Sequence, residues 1–90
     1  MLYKIDKMNF GFNEIDDDFV VFDIMNDNYH VMNETARELV NIIVNKDEIS
    51  LETIIEEFGK SYEISSIEEV SKDISEVLEK LVQIGLVNLV

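Results

Sequence analysis

A chain of 90 residues, 47% of them apolar and with a net charge of −13, is long enough to fold around one core and too acidic to hold a phosphate backbone. Its seven Lys and Arg are nowhere adjacent and the acidic excess is shared by both halves, which argues against nucleic acid and anionic membrane as partners. The chain has no Cys, so disulfides, thiolate metal sites and Cys nucleophiles are excluded. The start MLYKIDKMNF has no apolar signal region, and no apolar run approaches the roughly 18 residues that span a bilayer. These features predict a soluble cytoplasmic protein, with residues 1–90 as a single domain.

In chain order, Phe10 to Met32 reads as three short antiparallel strands, about Asn9–Ile15, Phe19–Ile24 and Tyr29–Met32. The segment FVVFDI is aromatic and β-branched, and NEIDDD and MNDN beside it are rich in turn residues. Asn26, Asp27 and Asn28 suit a tight hairpin because Asn and Asp tolerate left-handed backbone. At Asn33 the period changes to 3.6. Ala36, Leu39, Val40, Ile43 and Val44 form one stripe, Asn33 is the expected N-cap, and Glu34 suits the helix dipole. A polar connection leads to a second helix from Ser50, with Leu51, Ile54, Ile55 and Phe58 on one side and a stop near Gly59. The third helix is predicted from Ser66, where Glu69 completes a capping box, and carries Ile67, Val70, Ile74, Val77, Leu78 and Leu81 along one side. Gly85 is its expected C-cap, and LVNLV reads as a short extended tail. Three strands followed by three helices, without repeats or Pro, predict an α+β fold. The last two helices resemble a helix-turn-helix pair, but the third has only Lys72 and Lys80 among five acidic residues, which speaks against DNA.

Chemistry-bearing patterns are few. His30 is the sole histidine, so a metal site would need it plus carboxylates, and no nucleophile stands at a useful spacing from it. Alternation puts His30 and Met32 on one strand face and Tyr29 and Val31 on the other. The run Asp16–Asp18 lacks the Gly at the sixth position of a calcium loop, where Val21 stands, and reads as a solvated turn. Gly11, Gly59 and Gly85 are too far apart for a phosphate loop. No cofactor, metal or catalytic group is expected, and function must come from surface shape.

YHVMNETARELV resembles the PqqD-like family, also called RiPP recognition elements, through Met32, Asn33, Thr35, Ala36 and Leu39. SLETIIEEFGKSY and the closing LEKLVQIGLV continue the resemblance to Val90. Relatives often carry a Pro after the Asn; here Glu34 stands instead and leaves the helix start intact. The resemblance implies a winged-helix-like fold and no catalysis. It also implies a peptide chaperone that binds the leader of a ribosomally made precursor and presents it to a modifying enzyme: a radical enzyme, a cyclase or a leader peptidase. The leader is expected to add as a strand beside the third strand, in a groove walled by the third helix. The expected peptide-binding residues are Tyr29, His30, Val31, Met32, Val70, Asp73, Ile74 and Val77, in a monomer or weak homodimer. The alternatives are a winged-helix transcriptional regulator and a structural or dimerisation module.

Overall fold

Two short-range hairpins organise the first third of the chain. The computed structural model describes residues 1–61 and 67–90. After β1 (Leu2–Ile5) and a 3-10 turn at Lys7–Asn9 come β2 (Phe10–Ile15), β3 (Asp18–Asp23) and β4 (Asn28–Met32). These three pair in the antiparallel order β2-β3-β4, with Phe12 opposite Val21 and Val21 opposite His30. Asp16 and Asp27 take the left-handed conformation in the two turns (φ 57° and 51°), a role their short polar side chains tolerate. Phe19 and Val21 face the core.

Helices α1 (Glu34–Val44), α2 (Leu51–Ser61) and α3 (Ile67–Gln83) follow, with a two-residue strand β5 (Ile49–Ser50) before α2 and β6 (Val87–Leu89) after α3. Asn33 caps α1 as its sequence position predicts: its Oδ1 accepts the Ala36 amide at 2.8 Å. Ala36, Leu39, Val40 and Ile43 then enter the core beside Ile54, Ile74 and Leu78. Ser50 Oγ accepts the Thr53 amide at 3.3 Å and so opens α2. That helix continues through Gly59 to Ser61 rather than stopping at the glycine, since a single Gly weakens a packed helix without ending it. The capping box expected at Ser66 lies outside the described residues.

The α+β class is observed, and the element order is compatible with a winged-helix arrangement. The strand count differs from the sequence expectation. β1, β5 and β6 form a second antiparallel sheet in the order β5-β1-β6, with Tyr3 opposite both Ile49 and Leu89. LVNLV is extended as expected and is also paired, since β6 runs beside β1 and Val90 donates to the Leu2 carbonyl at 2.8 Å. The pairing is between segments of two to four residues that are remote in sequence, too short to show alternation.

Gly85 closes α3 with a positive φ of 83°, its amide bonded to the Val82 carbonyl (3.0 Å) and that of Leu86 to Leu81 (3.1 Å). This Schellman turn drives Leu86 into the core, where it is fully buried. Space around Gly85 is open, so a substitution there meets backbone strain and no clash. Gly85→Ala is expected to lower stability by about 1–2 kcal/mol, with Gly85→Asn milder, as read from urea midpoints at unchanged slope.

Candidate functional site

The site is built on β4, one of the two edge strands of its sheet. The strand is held at both ends. At its start, the Asp23 carboxylate accepts the Asn26 amide at 3.1 Å and the Asn26 side-chain Nδ2 at 2.7 Å, which fixes the turn. At its end, the Asn33 cap commits the chain to α1. A salt bridge between Glu14 and Arg37, both largely exposed, spans from β2 to α1 and contributes at most about 1 kcal/mol.

The two sides of β4 differ in their backbone. The Tyr29 amide donates to Asn28 Oδ1 at 2.9 Å, which puts it on the open side of the strand, away from the ladder. Alternation of an antiparallel pair then sends the Val31 amide to that open side and the amides of His30 and Met32 toward β3.

A groove of about 230 Å³ runs between β4 and the C-terminal half of α3. Its floor and walls come from Met32, Ala36, Val77, Leu81 and Ile84, with His30, Val31, Asn33 and Lys80 also lining it. Among the expected residues, His30, Val31, Met32 and Val77 meet here. Tyr29 lines a different hollow on the outer sheet face. Val70 and Asp73 lie farther toward the N-terminus of α3 and do not line this groove, and Ile74 is fully buried, so it can act only by supporting the wall. Sequence reasoning did not assign Lys80, Leu81 and Ile84 to the groove, although they continue the helical row from Val77 at three- and four-residue steps.

An open backbone edge beside an apolar wall can receive an extended chain. Among the described residues no group of three His, Asp or Glu side chains comes together to hold a metal ion. No helix among them is long and apolar enough to cross a membrane.

Residues 18–87 match the family model described as coenzyme PQQ synthesis protein D (PqqD). The chain belongs to the PqqD family. The matched span starts at β3 and includes β4, α1, α2 and α3, so every wall of the groove falls within the PqqD match. Two solved structures are similar in fold. TbiB1 in complex with the TbiA(beta) leader peptide superposes with a TM-score of 0.77 at 18% identity, over 94% of each chain. Lasso peptide synthetase B1 complexed with the leader peptide gives 0.76 at 17% identity, over 97% of this chain and 98% of that one. Comparison with curated proteins gives no match.

Within this PqqD-family chain, the anchor of β4 depends on pH. The Asn26 side chain, bonded to the Asp23 carboxyl, holds it below the usual aspartate value against the opposing effect of burial, with backbone amides and His30 adding in the same direction. Because the folded value is depressed, this stabilisation is present above the unfolded value of about 3.9 and is lost as pH falls through the folded one. Between about pH 5 and pH 3 the urea midpoint is expected to fall more steeply for the native chain than for Asp23→Asn. Parallel slopes would show that this carboxylate does not anchor the turn.

Proposed function

We propose that this protein is a non-catalytic peptide chaperone that binds the leader of a ribosomally synthesised precursor and presents it to a modifying enzyme in the cytoplasm. Residues 1–90 act as one leader-binding unit. The observation that carries this reading is the open side of β4 lying beside an apolar groove walled by α3. A guest strand gains affinity from main-chain hydrogen bonds and selectivity from pockets that take its alternate side chains. The Val31 amide and the carbonyls flanking it offer the pairing. Met32, Ala36, Val77, Leu81 and Ile84 offer the pocket. The PqqD family and the two fold relatives, both described with leader peptides, support the same reading. Expected guest contacts are Tyr29 to Met32 on the strand and Val77 on the helix. Val70 and Asp73 come into play if the leader extends toward the start of α3.

Affinity for the cognate leader is expected at micromolar or better, about −8 kcal/mol, with labelled duplex DNA bound only nonspecifically by so acidic a chain. Tight, sequence-selective duplex binding in a fluorescence titration would overturn the proposal and favour a transcriptional regulator.

A proline pair tests the strand. Val31→Pro removes a donor from the open side, where an edge strand tolerates Pro, and obstructs a guest. Leader binding is expected to weaken about tenfold or more, about 1.4 kcal/mol, with the circular dichroism spectrum kept. His30→Pro removes a ladder bond to β3 and is expected to disrupt the sheet. A folded Val31→Pro protein that binds the leader as the native chain does would move the guest away from β4.

A further inference from the structure

Five residues break the alternation expected of a half-solvated sheet. On the face of β2-β3-β4 opposite to Phe19 and Val21, the outward positions include Ile15, Val20, Phe22, Tyr29 and Val31, where polar residues would ordinarily stand, beside Gly11, Asn13 and Asp18. Ile15, Phe22, Tyr29 and Val31 are between 40% and 64% exposed. Ile15, Val20, Phe22 and Tyr29, with Phe12 and Asn13, line a shallow hollow of about 530 Å³ whose floor is kept open at Gly11, the residue opposite Phe22, and Val31 lies beyond it next to Val20. Nothing in the backbone demands glycine there: its φ is not positive, and an added Cβ would meet only the Phe22 Cβ at an ordinary 3.8 Å. The effect of the missing side chain is an unfilled hollow on a largely apolar face. Such faces mark protein contacts.

Charge selects the occupant. Residues 10–32 contain Glu14, Asp16, Asp17, Asp18, Asp23 and Asp27 and no Lys or Arg. Asp16 to Asp18 are exposed at one end of the face, and Asp27 at the other. A second copy of this chain, placed on the face in either orientation, would set acid against acid. An anionic lipid surface would meet the same repulsion. We propose that the outer face of β2-β3-β4 docks a second protein whose contact surface has an apolar centre and a rim of Lys and Arg. Tyr29 and Val31 project their side chains to this face while His30 and Met32 point the other way, so it remains available whether or not the groove is filled. The inference does not rest on the leader reading.

The test places a benzophenone photo-crosslinker at position 22 of the full chain, in cells of the source organism, with position 56 on α2 as the control. The expected result is one adduct protein specific to position 22, crosslinked through an apolar segment flanked by Lys or Arg. Purified, that protein should bind the native chain. Gly11→Val, whose Cβ meets only an ordinary contact and whose methyls fill the hollow, should weaken it about tenfold or more. So should the combined Asp16→Asn, Asp17→Asn and Asp18→Asn, whose side chains keep the turn, and a rise from about 0.05 to about 0.5 M salt. Melting temperatures serve as the control for fold. Adducts only to a second copy of this chain, adducts no different from the control, or binding indifferent to Gly11→Val and to the Asn variants would each overturn the proposal.

Discussion

The pairing of β4 with β3 is the constraint on which the rest of the structure depends. Five residue pairs, from Phe19 opposite Met32 to Asp23 opposite Asn28, hold the strand on one side only. The other side keeps a row of main-chain groups that no neighbouring strand of its sheet pairs. Because side-chain period is 2, this register also decides which residues face the groove and which face outward; a slip of one residue would exchange the two sets. The fixing of both strand ends therefore matters more than the strand's length. Asp23 and Asn26 lock the turn before it, Asn33 fixes the helix start after it, and neither leaves the register free to slide.

The opposite wall is placed by packing far from the strand. Ile74, Leu78 and Leu81 seat α3 on the core, and the turn at Gly85 returns Leu86 and Val87 to the interior and to β1. Leu81 does two jobs in this arrangement: its side chain lines the groove and its carbonyl accepts the Leu86 amide. Ile84, next to the glycine, stays partly exposed at the groove margin because the helix has already ended. The short β5-β1-β6 sheet, which looks peripheral, thus helps to set where the C-terminal end of α3 lies relative to β4.

What could be read in the sequence was what local chemistry decides. Asn33 announces itself as a cap because a short acceptor precedes a 3.6-residue stripe, and Asn26 to Asn28 announce a turn between β-branched runs. The faces of His30 and Met32 and of Tyr29 and Val31 follow from alternation alone. Strands β1, β5 and β6 leave no such mark: Leu2 finds Ser50 and Tyr3 finds Leu89 only after the helices have packed. The helix side of the groove shows the same limit. Periodicity shows that Val70, Val77 and Leu81 share a side of α3, yet which turn of that side lies beside β4 is set by how the helix crosses the sheet. The structure brings the stretch from Val77 to Ile84 to the strand. Lys80, one turn on from Val77, enters as an exposed cation at the lip of that groove.

An open sheet edge is a hazard for a free protein, since any extended chain can pair with it. Three features limit it here. The edge strand is only five residues long, the Asn28 side chain occupies the Tyr29 amide, and thirteen excess negative charges oppose the approach of another copy. The Asn28 contact spans adjacent residues and is exposed, so a guest strand that pairs along the edge exchanges one solvent-facing hydrogen bond for another at small net cost. The charge acts differently on different visitors: it repels acidic chains, including this one, and draws basic ones. In the proposed reading, the same acidity that keeps the edge from self-pairing also biases the site toward leaders of opposite charge, so protection of the edge and selection of its guest have one physical cause.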